Sequence, residues 1–187
     1  DWHSWAAGPP APSDWTLGSG FTLATDQMEG SNTNGSANAY WDIGLVSPYV
    51  AEMTFYGDTL VSGGWIGLLV ARKFNGNDSW YGCFLRRDNV GPTAQTALQI
   101  YRWPGYGSAN NVAQTSDPEP ASTADNALRR IRVLVDGNTL TCRYSNENGD
   151  SSEVTYSTPN PFDNLDGGLA YRVYDWGATF TSIIAYE

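Results

Sequence analysis

The sequence predicts an all-β fold, a two-sheet antiparallel jelly-roll sandwich, from three observations. Helical periodicity is almost absent. Short runs rich in Val, Ile, Thr, Tyr, Phe and Trp recur along the chain, separated by Gly, Pro, Asn or Asp. There are more such runs in 187 residues than one open sheet readily holds, so two packed layers are expected.

The chain opens with "DWHSWAAGPPAPSDW", which carries three Trp and three Pro without periodicity. Residues 1–20 therefore read as an extended N-terminal arm, and residues 21–187 as a single sandwich domain of ordinary size. The first strands are expected at "GFTLAT", "AYWDIG", "YVAEMTFY" and "WIGLLVAR", with "EGSNTNGSANA" as a loop between the first two. "SWYGCFLRR" and "ALQIYRW" follow as strands. Gly105 to Ala127 is polar and contains Pro118 and Pro120, so it reads as a long surface loop that borders a site.

The best-defined hairpin is "IRVLVDGNTLTCRYS", in which Asp136-Gly137 supplies the turn. Ile131, Val133 and Val135 share one face, and Leu140, Cys142 and Tyr144 share one face of the partner, so both point into the core. "EVTYST", "GGLAYRVYD" and "TFTSIIAYE" complete the set.

Charge narrows the function. The net charge of -10 and pI near 4.3 argue against a nucleic-acid partner, whose phosphates call for clustered Lys and Arg; Lys73 is the sole Lys. No apolar run approaches the roughly twenty residues of a membrane span, so membrane insertion is not expected. Few Lys, many Ser, Thr, Asn and Gly, and glycosylation sequons at Asn34 and Asn77 favour an extracellular or particle-surface location. The start at Asp1 suits a processed or trimmed chain. Cys83 and Cys142 sit in strand-like segments and are either a bridge between neighbouring strands or two buried thiols.

Strand alternation supplies the candidate site. If Leu98 and Ile100 face the core, Tyr101 and Trp103 face outward, with Tyr106 just beyond in a Pro-Gly turn. With Leu85 inward, Arg86 points out. With Leu169, Tyr171 and Val173 inward, Arg172, Tyr174 and Trp176 point out, and Arg72 ends the strand "WIGLLVAR". A sugar offers C–H faces to aromatic rings and hydroxyls to polar groups, so these residues suit a glycan or polysaccharide. The same aromatics would equally serve contacts with copies of the chain or with other surface proteins, in a virion, tail or filament. Trp65 and Trp80 are assigned to packing.

The succession "GLLVARKF…NDSWYGCFLRR…ALQIYRW…LRRIRVLVDGNTLTCRYS…DGGLAYRVYDWGATFTSIIAYE" resembles the concanavalin A-like lectin/glucanase superfamily, in the divergent branch of carbohydrate-binding modules and viral surface proteins. The order of elements carries the resemblance, from about Tyr49 to Glu187. It implies a jelly roll with ligands on the concave sheet, and a non-catalytic carbohydrate-binding, lectin-like or receptor-binding module.

The glucanases of that superfamily place their carboxylates as Glu-x-Asp-x-x-Glu on one strand, a spacing absent here. Glu52 is the one Glu in a confident central strand and is weighed as a lone catalytic acid against a plain surface carboxylate. The sole His, His3, lies in the arm, which leaves lyase or nucleophile chemistry without its base; an unrecognised hydrolase or lyase site stays as the third reading. No cofactor is required, but relatives often carry a structural Ca²⁺, and Asp163 and Asp166 in "DNLDGG" are the first candidates to hold one.

Overall fold

The computed structural model describes residues 2–6, 15–23, 27–30, 36–74, 78–88, 95–105, 108–120, 123, 124, 126–159 and 165–187; of residues 2–6, 23, 36, 59–62, 72, 74 and 78 it describes the backbone. In order, the strands are β1 (Trp2–Ala6), β2 (Trp15–Leu17), β3 (Phe21–Leu23), β4 (Met28–Gly30), β5 (Ser36–Leu45), β6 (Tyr49–Phe74) and β7 (Asp78–Asp88). They continue as β8 (Gln95–Trp103), β9 (Asn110–Ser116), β10 (Leu128–Asp136), β11 (Thr139–Asn146), β12 (Ser151–Ser157) and β13 (Gly167–Tyr186). Among the described residues there is no helix, and so none long and apolar enough to cross a membrane.

Two long bent strands organise the sandwich. The first half of β6 pairs with β10 and with the last part of β13, giving one layer in the order β12-β11-β10-β6-β13-β4-β3, with β1 also on β13. The second half of β6 pairs with β7 and the first part of β13, giving the other layer, β9-β8-β7-β6-β13-β5-β2. "YVAEMTFY" and "WIGLLVAR" are thus one strand, as are "GGLAYRVYD" and "TFTSIIAYE". Within residues 1–20, β1 pairs with β13 and β2 with β5.

The apolar sides of the two layers form one core. Val133 faces Cys142 and Ile131 faces Tyr144 across the Asp136-Gly137 turn, where Gly137 has φ 59°. All four side chains are buried, in the company of Ile66, Leu68, Val70, Leu98, Ile100, Leu169 and Val173 from the second layer. Burying each such aliphatic side chain contributes about 1.5–3 kcal/mol. Cys83 of β7 and Cys142 of β11 are disulfide-bonded with Cα atoms 5.8 Å apart, so the bridge joins facing layers rather than neighbouring strands.

β9 lies within the stretch read as a loop. Among the described residues it pairs with β8 alone, and its polar sequence suits such an edge. Beyond it, Glu119 is buried under the end of the sandwich with Arg129 and Tyr144.

Three buried tyrosines give the fold an alkaline limit. Burial pushes the phenols of Tyr49, Tyr144 and Tyr171 above the usual tyrosine range; the Asp166 charge adds to this at Tyr49 and the Glu119 carboxylate at Tyr144. Below about pH 10, where unfolded tyrosine titrates, both states hold these protons and stability is untouched. Above it the unfolded chain releases protons that the folded one keeps, so stability falls by up to about 1.4 kcal/mol per pH unit per tyrosine. Urea midpoints at pH 9, 10 and 11 should drop steeply only at the last step; a flat series would contradict the assignment.

Candidate functional site

The outer face of the β9-β8-β7-β6-β13-β5 layer carries a second apolar cluster, separate from the core. Register builds it in rows. One row across β13, β6, β7 and β8 reads Tyr174, Trp65, Arg86 and Ala97. The next reads Arg172, Gly67, Phe84 and Gln99, ending at Gln114 on β9. A third reads Ala170, Leu69, Gly82 and Tyr101.

Phe84 is the floor of this layer. Its ring lies over Gly67 and Gly82; a Cβ on either glycine would come within 2.4 Å of the ring. Trp80 and Phe84 are buried, and Trp65, Tyr101, Trp103 and Tyr40 form a half-buried upper tier over them. Trp65 packs with its ring centroid 5.1 Å from both Tyr101 and Tyr174, and Trp103 stacks on Trp80 at 6.4 Å.

Two arginines cap the rings. The Arg86 guanidinium sits 5.6 Å from the Trp65 centroid and donates from Nε to Asp88 at 2.7 Å. Arg172 sits 5.1 Å from the Trp80 centroid and donates to Asn38 Oδ1 at 3.1 Å. Such cation–π contacts anchor each guanidinium beside its ring.

Polar cavities flank the rings at opposite ends of β8. One, of about 240 Å³, is lined by Arg86, Asp88, Gln99, Gln114, Ser116 and Asp117. The other, of about 120 Å³, is lined by Lys73, Ser79, Trp80, Arg102, Trp103 and Pro104. Gln99 and Asn111 both donate to Gln114 Oε1, at 2.9 and 2.6 Å, which orients that amide. The surface therefore offers ring faces in the middle and hydrogen-bonding groups at both ends.

Of the residues expected here, Arg86, Tyr101, Trp103, Arg172 and Tyr174 share this face. Trp176 does not: it is fully buried in the core, its indole donating to Asp58 O at 3.0 Å. Asp175 adopts φ 48° and the pairing register shifts on both sides of Trp176, so simple alternation fails at that corner. Tyr106 and the Arg72 side chain lie outside the described residues. Trp65 and Trp80, assigned to packing, stand on the outer face, Trp80 largely covered and Trp65 half-buried among the upper rings.

The calcium expectation rests on Asp163 and Asp166. Asp166 Oδ1 accepts the Ser47 amide at 2.8 Å, and among the described residues no three His, Cys, Asp or Glu side chains gather as a metal group. A Ca²⁺ site needs six to eight oxygens. Asp163 lies outside the described residues. Glu52 is ion-paired with Arg130 Nε at 3.2 Å, on the outer face of the other layer.

No protein-family model and no curated protein matches the chain. Solved structures do. The CBM2 module of the evolved Dit of Lactobacillus casei BL23 phage J-1 superposes with a TM-score of 0.70 at 12% identity, covering 98% of this chain and 96% of that one. The exoplasmic/lumenal domain of VIP36, bound to Ca²⁺ and Man3GlcNAc, gives 0.70 at 12% identity over 98% and 87%. The fold is that of the concanavalin A-like lectins and glucanases. Lectin I-B4 of Griffonia simplicifolia, in a metal-free form, shares it over 100% of this chain and 98% of its own, with a TM-score of 0.66 at 11% identity. At this identity the shared property is the fold, and the site must be argued from this chain's own residues.

Proposed function

We propose that this protein is a carbohydrate-binding, lectin-like module whose glycan lies across the outer face of β6, β7, β8 and β13. The carrying observation is the two-tier aromatic layer: Trp65, Tyr101, Trp103 and Tyr174 present half-buried rings, three of them backed by the buried Trp80 and Phe84. Covered rings beneath keep the upper ones in place, so little side-chain entropy remains to be lost on binding. Arg86, Asp88 and Gln114 at one end and Lys73 at the other supply donors and acceptors for hydroxyls.

Sugar-binding neighbours of the same fold support this reading, and the inter-layer disulfide supports an extracellular or lumenal location, where such bonds persist. On a particle or cell exterior such a module would act as a receptor-binding surface.

A glycan array should show binding to one glycan class, and Trp103→Ala and Tyr101→Ala, both on the outer face, should each weaken it about tenfold or more, roughly 1.4 kcal/mol, with unchanged circular dichroism. Array binding that both variants retain would sink this placement. A blank array from protein whose concentration-dependent assembly is abolished by Trp103→Ala would instead establish the face as a contact between subunits.

A further inference from the structure

On the opposite side of the sandwich, the outer face of β12-β11-β10-β6 holds a groove of about 520 Å³, in the size range of small-ligand sites. Three arginines, Arg130, Arg132 and Arg143, line it, although the whole chain has only ten Lys and Arg against twenty Asp and Glu.

The register sets two of these cations against each other. Arg132 of β10 is directly opposite Arg143 of β11, and like charges facing across adjacent strands destabilise a sheet. The carboxylates present are engaged at the flanks. Glu52, the strand neighbour of Arg132, pairs instead with Arg130 at 3.2 Å, and Glu153 pairs with Arg143. Arg132 donates from Nη2 to the hydroxyl of Tyr186 at 2.6 Å. A guanidinium has five N–H donors, so most of its fork remains to be used. Ser145 and Ser151 add hydroxyls to the lining.

We infer that this groove is a second, acidic-saccharide site, in which a sulfate ester or a uronate carboxylate bridges Arg132 and Arg143 while the attached sugar lies along the serines. The oxyanion takes charge-assisted hydrogen bonds from both guanidinium groups and cancels their repulsion; the flanking Glu52 and Glu153 pairs hold Arg130 and Arg143 in position. The groove exceeds what a bare ion fills, which is why a saccharide rather than a free anion is the assigned ligand. Because the Arg130 and Arg143 side chains are 55% and 56% exposed, binding should weaken as salt rises.

The test is calorimetric titration of the intact protein, at matched ionic strength, with four probes: sodium sulfate, a sulfated disaccharide, a uronate disaccharide and their neutral parent. One or both acidic disaccharides should bind while the neutral parent does not, and the arm that responds identifies sulfate ester or carboxylate. Arg132→Gln and Arg143→Gln should each lower that affinity tenfold or more, whereas Trp103→Ala on the other face should leave it unchanged. In melts with an acidic disaccharide at ten times its Kd, the unfolding equilibrium constant of the parent protein should fall about elevenfold, and that of Arg132→Gln far less. Both substitutions relieve a like-charge contact, so the variants should fold. Four silent probes, sulfate binding with no gain from either acidic sugar, or undiminished affinity in Arg132→Gln would each overturn the assignment.

Discussion

Replacing Glu119 with Ala is expected to lower the free energy of unfolding by about 3–5 kcal/mol, because it strands a buried cation. Glu119 and Arg129 are both fully shielded from solvent. Arg129 donates to the carboxylate from Nε at 3.0 Å and from Nη2 at 3.1 Å, and spends further donors on Ala127 O and Ala124 O. Tyr144 and Asn146 also donate to Glu119 Oε2, and the guanidinium lies 5.7 Å from the centroid of Trp176. Removing the carboxylate leaves the guanidinium charged in the interior and the Tyr144 hydroxyl without its acceptor.

The loss should show as a lower urea midpoint at unchanged slope. Glu119→Gln keeps the shape but loses the charge, and should fall between the parent and the alanine variant. In Glu119→Ala/Arg129→Met the two changes should cost less than their sum, since no charge is left behind. A loss below 1 kcal/mol in the single alanine variant would mean that the pair is hydrated in solution. The same network ties the segment after β9, through the Thr96 hydroxyl on Glu119 O at 2.6 Å, to the end of β8 that lines the larger of the two outer cavities.

Strand alternation was enough to read most inward and outward positions. Leu98 and Ile100 are buried where "LQIYRW" places them, and Tyr101 and Trp103 lie opposite. It was not enough where the backbone leaves regular geometry: the left-handed Asp175 returns Trp176 to the core, and no composition signal marks that residue as exceptional.

Neighbour relations were the other gap. Tyr174, Trp65 and Arg86 form one row only because β13, β6 and β7 are adjacent, an order that no local pattern encodes. For the same reason Phe84 reads as one more apolar residue in "YGCFLRR", although Gly67 and Gly82 on either side of its ring make it the floor of the aromatic layer. The glycines were the available clue, since each interrupts a strand that otherwise has no reason to contain one.

Loss of the disulfide in Cys83→Ala/Cys142→Ala should cost about 4 kcal/mol, from the entropy returned to an unfolded chain no longer closed over the intervening residues. The two cysteines are 59 residues apart in sequence, and both are buried. Alanine is the appropriate replacement because a serine hydroxyl would bring a separate desolvation cost into the core. A domain of ordinary stability, about 5–15 kcal/mol, would then stand near its folding limit. Urea titrations of the variant, and of the parent with and without reductant, should show the same midpoint shift; a shift worth less than 1 kcal/mol would mean that the unfolded chain is already compact without the bridge. The bond also bears on the aromatic face. Cys83 points inward between Gly82 and Phe84, so tying it to β11 holds the strand whose other side carries Trp80, Phe84 and Arg86. If the folded variant binds glycan more weakly than the parent, the bridge positions that face; equal affinity would confine its role to stability.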